Sequence, residues 1–392
     1  MVAARRPTNE LAVAASSITS TGMTALVCMM VAISVMLDAT FLCVFLGEGG
    51  RRAEQAGLRV GDELDGDARH QRLEPPLGDE PLVETGAVSN SELAVRPGTI
   101  YTSTGIATIP IPPGKYTVYA GRGFEYSLSK NEIEVKAGEK NLISTAIRRV
   151  VPTEGYVACD THVHTRTHSG HGDSTVQERM ITLAGEGIEL PIATDHNVHI
   201  DHNPFAVQMG VRRYFTPVIG NEVTTRTAHF NVFPVSPETP PPDHRSPDWA
   251  QTFARIDRVD GVKVVILNHA RDIHSGVTPF GPKLFNDAVG VNVDGWQLRA
   301  NAMEVVNSSA TQTDILQLFR DWMTLLNRGQ QITPIGSSDS HDVARHFVGQ
   351  GRTYIRCDDA DPSEIDVDMA VNSLLQGRVR VSYGLLTAMT VE

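Results

Sequence analysis

Cys159-Asp160-Thr161-His162-Val163-His164-Thr165 closes a run that reads as a β-strand from Gly155 onward. In a strand, residues i and i+2 face the same side, so His162 and His164 point together. Two imidazoles on one face can share a metal ion; the competing reading is a pair of surface histidines. The rest of the chain decides between them. Asp195-His196, Asn221-Glu222, Asn268-His269, Asn307 and the pair Asp339/His341 each end another strand-like run. A dry strand end does not take so many ionisable groups unless they pair or bind metal. Mixed histidine and carboxylate ligands suit a divalent ion such as Zn, Mn, Fe or Co.

Those runs define the elements that must bring the residues together. From Val157 onward, strand-like stretches (YVACD, LPIATDHN, TPVIGNEVTT, HFNVFPV, VKVVILNHAR, AMEVVNSS, ITPIGSSDSH) alternate with helical ones. The helices are STVQERMITLAGEG, opened by Ser174, SPDWAQTFARIDRVDG, with Ser246 as N-cap, and TDILQLFRDWMTLLNRG. Alternation of this kind predicts an α/β fold with a parallel sheet or barrel, whose strand C-termini converge on one face.

Four segments are expected. Residues 1–50 hold an apolar leader or membrane anchor, 51–90 a charged, Gly- and Pro-rich linker, 91–152 a small antiparallel β module, and 153–392 the catalytic unit. The run 23–47 is long enough to span a bilayer, although Asp38 interrupts it at a cost of about 2.5–3.5 kcal/mol near the bilayer centre. A membrane anchor, an export signal, a buried helix and a non-native leader stay open. An exported, periplasmic or membrane-anchored location is expected ahead of a cytoplasmic one.

The chain has 392 residues and a formal net charge of −12, which argues against a nucleic-acid partner recognised through a basic surface. Its four cysteines, Cys28, Cys43, Cys159 and Cys357, form no paired motif, so neither a disulfide framework nor a cysteine metal site is indicated. Thirteen of the fourteen histidines follow residue 160, which places the chemistry in the second part of the chain.

The pieces DTHVHT, TDHN, GNE, HFNVFP, LNHAR and SDSH, between about residues 158 and 347, resemble the PHP (polymerase and histidinol phosphatase) superfamily of metal-dependent hydrolases, and stand in that family's order. The resemblance implies a distorted (β/α)7 barrel with a di- or trinuclear centre. It implies that His162, His164, Glu222 and Asp339 hold one metal, and that Glu222 bridges to a second held by His229 and His269. A third would be held by His196 and His341 with one residue of the loop HTRTHSGHGDST; His171 falls in that slot, with Asp173 and His168 as competitors. Asp195 either joins the ligands or orients one of them. His199, His202, His244, His274 and His346 are expected on the surface or in loops.

The stretch YVACDTHVHTRTHSGHGDSTVQERMITLAGEGIELPIATDHN, with its longer histidine-rich loop and with the β module and LAVRPGTIYT before it, looks like the carbaryl-hydrolase branch, whose members cleave aryl N-methylcarbamates and related esters. A multinuclear centre suits hydrolysis by a metal-bound hydroxide, with Asp339 or His341 moving the proton. Arg271, just after His269, is a candidate clamp for a phosphate or an oxyanion. The expected substrate is a small carbamate or carboxylic ester, with a phosphoester and a non-catalytic metal-binding surface module as the alternatives.

Overall fold

The computed structural model describes residues 30–35, 41–47, 82, 84–384 and 386. The expected linker up to residue 81, the first part of the apolar leader, and the last six residues lie outside them. Within the leader, Met30–Val35 (β1) and Phe41–Gly47 (β2) are strands. They join Leu93–Arg96 (β3), Thr99–Thr102 (β4), Ile106–Pro110 (β5), Gly114–Gly121 (β6), Ser129–Val135 (β7) and Asn141–Thr145 (β8) in two sheets, of order β5-β1-β8 and β3-β4-β2-β6-β7. Both leader strands are paired on two sides. A short, continuously apolar run is what a central strand looks like in sequence, and such a run is easily taken for something else. Among the described residues no helix is long and apolar enough to cross a membrane.

The second part is mixed α/β. Tyr156–Val163 (β9) is followed by Arg166–Ser169 (α1), Val176–Gly185 (α2), Leu190–Ala193 (β10), Asn203–Gln208 (α3), Val218–Ile219 (β11), Asn221–Thr224 (β12) and His229–Phe233 (β13). Then come Trp249–Ile256 (α4), Val264–Leu267 (β14), a short ribbon of Phe285–Asn286 (β15) and Val291–Asn292 (β16), Ala302–Asn307 (β17), Gln317–Asn327 (α5), Thr333–Ser337 (β18), Arg352–Arg356 (β19), Val367–Leu375 (α6) and Val379–Ser382 (β20). The larger strands form two five-stranded sheets, β11-β10-β9-β19-β20 and β12-β13-β14-β17-β18.

The mixed α/β class is as expected, while the described strands form two sheets and do not show the closed (β/α)7 barrel. Hairpin-like antiparallel pairing of β12 with β13 and of β13 with β14 interrupts the parallel order, as does β19 against β9. The stretch TPVIGNEVTT, expected as one strand, divides at Gly220 between the two sheets. A Cβ on Gly220 would meet Ile192 Cγ2 at 2.8 Å and the Val232 carbonyl oxygen at 3.0 Å, so only glycine fits at that crossing. The sheets nevertheless share one core, in which Val157, Cys159 and Ile192 of the first pack with Val264, Ile266 and Ile335 of the second. Single bridges Val163–Ser340 and His196–Glu222 tie the sheets together at one end.

Helices α2 and α4 start one and two residues later than expected, and α5 starts at Gln317, four residues into TDILQ. Thr175, not Ser174, caps α2; its hydroxyl accepts from the Glu178 amide while Glu178 reaches back, a reciprocal cap. Asp248 caps α4, and Ser246 accepts from the Asp248 amide instead. Each such cap contributes about 1 kcal/mol. Trp249, Phe253 and Ile256 of α4 bury a face of helical period against the second sheet.

Candidate metal centre

The bridged end of the two sheets gathers the metal-capable residues. His162 lies at the end of β9 and His164 just after it, His196 follows β10, Glu222 lies on β12, His229 opens β13, His269 follows β14, and Asp339 and His341 follow β18. Their ligand atoms fall into four overlapping groups: His162–His164–Glu222, Glu222–His229–His269, His162–His269–Asp339 and His164–His196–His341.

Glu222 is at the middle. Its Oε1 lies 3.2 Å from His162 Nε2, 3.2 Å from His229 Nδ1 and 3.4 Å from His269 Nε2. Its Oε2 lies 2.5 Å from His196 Nδ1 and 3.8 Å from His164 Nε2. Asp339 Oδ1 is 3.3 Å from His164 Nε2 and 3.4 Å from His162 Nε2. Two ligands each about 2.1 Å from one ion, at a tetrahedral angle, stand roughly 3.4 Å apart. Most of the observed separations match that spacing. The ring atoms His162 Nε2, His164 Nε2, His229 Nδ1 and His341 Nε2 are buried without a hydrogen-bond partner. Leaving such atoms unpaired is costly, and a cation satisfies them. The donor set therefore fits divalent metal ions.

Electrostatics agree. Burial disfavours charge on Glu222 and Asp339, yet the surrounding histidines hold both carboxyls well below the ordinary range. Burial also disfavours a charged His162 or His269, but the carboxylates outweigh it, raising His162 well above its ordinary value and His269 to about 9. On the other side, burial and neighbouring rings push His164 well down, and burial with His171 beside it brings His341 to about 4. Backbone strain is concentrated here too. Among the described residues, the non-glycine positions with positive φ are Asn197, His269 and Asp339, at 58°, 24° and 55°. Such conformations cost of order 1–3 kcal/mol each and persist where surrounding contacts enforce them.

The remaining candidates separate clearly. His171 Nε2 approaches His196 Nε2 to 2.9 Å, and its ring stacks on His341 with centroids 4.3 Å apart, so it stands at the edge of the His164–His196–His341 group. Asp173 instead pairs with Arg96 at 2.9 Å and accepts from the Val343 amide at 2.8 Å. Asp195 accepts from the Thr165 amide at 2.7 Å and from the Ser169 hydroxyl at 2.6 Å; that hydroxyl also contacts His164 Nδ1. Asp195 thus acts on a ligand from behind. Arg271 is turned away from the expected clamp role: its Nε and Nη2 reach Asp321 at 2.5 and 2.9 Å. His168, His199, His244, His274 and His346 join none of the four groups. His202, expected at the surface, is buried with Nε2 3.7 Å from Asp195 Oδ2.

Of the supporting residues, Glu304 escaped the sequence reading, while Asn268 and Asn307 stood out there only as strand ends. Glu304 on β17 is wholly buried and meets His162 Nδ1 at 2.7 Å, the His269 amide at 2.6 Å and Asn307 Nδ2 at 2.9 Å. Asn268 Nδ2 donates to Glu222 Oε1 at 2.9 Å, and its other partner is Asn231. A glutamate inside the apolar run AMEVVN was the available signal, since a charge there needs partners. Asn307 also donates to Asp339 at 3.3 Å, joining Glu304 to the ligand shell.

No family model matches this chain. No curated protein matches it. Among solved structures, it is similar to a two-domain protein from Bacteroides vulgatus described as containing a predicted PHP-like metal-dependent phosphoesterase. The two are 19% identical, the match covers 60% of this chain and 67% of the other, and the TM-score is 0.41.

Proposed function

We propose that this chain is a PHP-type metal-dependent hydrolase that cleaves a carbamate or carboxylic ester. The observation that carries the hydrolase reading is the set of four overlapping ligand groups, three of which contain the buried Glu222 or the partly buried Asp339. Divalent cations held there would supply Lewis-acid activation of water and of an electrophilic carbonyl. Glu222 turns Oε1 toward His162, His229 and His269, and Oε2 toward His164 and His196, as a bridging ligand does. His162 and His164 have fully covered side chains, whereas Asp339, His196 and His341 keep 15%, 22% and 20% exposed. The substrate therefore approaches from the Asp339–His196–His341 side. Asp339 and His341 are placed to hold the proton released by the attacking water and pass it to the leaving group.

What supports the ester and carbamate class is the histidine-rich loop 164–175, which resembles the carbaryl-hydrolase branch. The test is to purify the full chain, measure bound metal by atomic emission, and assay naphthyl N-methylcarbamate, nitrophenyl acetate and nitrophenyl phosphate. Bound metal with carbamate or acetate cleavage supports the proposal. Metal with phosphate cleavage alone overturns the substrate class, and the absence of metal from protein loaded with Zn²⁺ or Mn²⁺ overturns the centre.

A further inference from the structure

We infer that Arg96, on strand β3 of the β module, is a positioning residue of the metal centre, fixing the loop that carries His171 against the segment that carries His341. Its guanidinium is shared between two acceptor residues of the other sheet system. Nε and Nη2 meet the Asp173 carboxylate at 2.9 and 3.0 Å, and Nη2 also meets the Asp173 carbonyl at 2.7 Å. Nη1 and Nη2 reach Glu178 at 2.9 and 3.3 Å. The Ser89 hydroxyl adds a second hydrogen bond from the module to Glu178, at 2.6 Å.

Asp173 passes this grip to the ligands. Its carboxylate accepts from the Val343 amide, and the Asp173 and Ser174 amides donate to the His341 carbonyl at 3.2 and 3.1 Å. At Gly172 the two backbones are so close that a Cβ would lie 2.5 Å from the His341 carbonyl oxygen. His171 is flanked by glycines and half-exposed, so its own packing holds it weakly. What sets its ring against His196 and His341 is the neighbouring anchor at Asp173.

Magnitudes favour this role over simple docking. The Asp173 side chain is 42% exposed, and ion pairs that exposed contribute about 0–1 kcal/mol to stability. Docking has other contacts at the far end of α2, where Tyr101 donates to Glu186 at 2.7 Å and Arg122 donates to the Ala184 carbonyl at 3.1 Å. Neither touches the ligand loop.

The inference rests on the metal centre proposed above, but not on the substrate class. The experiment uses the full chain with Zn²⁺ as probe, reading each bound ion's affinity by chelator competition and the amide exchange of residues 166–174 in metal-free protein. Arg96→Gln and Asp173→Asn are each expected to weaken the loosest Zn²⁺ by about tenfold and to speed exchange in that loop. The double variant should lose no more than either single one, and Arg96→Lys should recover part of the affinity. Tyr101→Phe should leave the Zn²⁺ affinities unchanged. Folding is followed by thermal melts, and if Arg96→Gln does not fold, Asp173→Asn decides. Wild-type affinities in folded Arg96→Gln or Asp173→Asn would overturn the inference. So would an equal loss in Tyr101→Phe, which would mean that module docking in general is what matters. Failure of the unaltered protein to bind Zn²⁺ would instead overturn the metal centre, and the inference with it.

Discussion

Glu304 Oε1 and His162 Nδ1 lie 2.7 Å apart, with both side chains wholly buried. A carboxylate accepts, so the shared proton sits on Nδ1 and the Nε2 lone pair is left for a cation among Glu222 and Asp339. Such outer partners fix the ring orientation and raise the ligand's basicity. Glu304→Gln keeps the shape but brings an amide that can present a donor to Nδ1. Metal affinity should fall about 10–100-fold, with the thermal transition of the loaded protein lowered by the weaker binding. Chelator competition checks this, and an unchanged affinity would remove Glu304 from the supporting shell.

Glu222 is shared by two of the four ligand groups and also contacts His196. Glu222→Ala should therefore strip the centre of most of its metal and reduce hydrolysis to background. His199 provides the contrast: its Nδ1 contacts the Thr239 carbonyl at 2.8 Å, and it joins no ligand group. His199→Ala should keep the full metal content. Atomic emission on the two purified variants settles the ligand map, and metal loss in His199→Ala would show it wrong.

The clustered histidines and carboxylates were legible as candidate ligands because they end strands, and strand ends are easy to read from a β run that stops in polar residues. Their supports were less so: Glu304 lies inside an apolar run, and Asn268, readable only as a strand end, shows its role through a contact that folding creates. The same limit applies to the sheets. Gly220 looks like an ordinary strand glycine in TPVIGNEVTT, and only the approach of Ile192 and Val232 shows that the chain changes sheets there. β1 and β2 were hidden in a run whose largely apolar character also suits a membrane span, since periodicity alone does not separate the two. Arg271 was misplaced for a related reason. Its neighbour in sequence is the ligand His269, but its side chain meets Asp321, fifty residues away on α5.

That Arg271–Asp321 pair carries its own prediction. Asp321 is fully buried, and Gln317 is its other neighbour, at 3.1 Å. Removing one partner of a buried pair leaves an uncompensated charge and costs about 3–5 kcal/mol. Arg271→Met should lower stability in urea by an amount near the bottom of that range, because the arginine side chain is 16% exposed. Metal content and kcat of the folded fraction should stay near wild type. A collapse of kcat with stability and metal content intact would return Arg271 to the substrate.

Glu189 makes stability depend on pH in the opposite sense to a salt-bridged carboxylate. Burial, with Glu125 and Asp359 nearby, raises it to about 7, against the opposing pull of the Ala158 amide and Arg149. In the unfolded chain the group titrates near 4.5. Between those values the folded state binds more protons than the unfolded one, so stability falls as pH rises. The contribution is fully present below about pH 4.5, declines through about pH 7, and is constant above it. Glu189→Gln keeps an acceptor for the Ala158 amide, 2.9 Å from Oε2, and removes the titration. The difference between wild type and variant cancels the titrations they share. Relative to its advantage at pH 4.5, the variant should gain about 2–3 kcal/mol by pH 8, since a tenfold difference in proton affinity between the folded and unfolded states corresponds to about 1.4 kcal/mol. Urea denaturation of both proteins across that range measures it. A difference that does not change with pH would mean that Glu189 titrates alike in the folded and unfolded states.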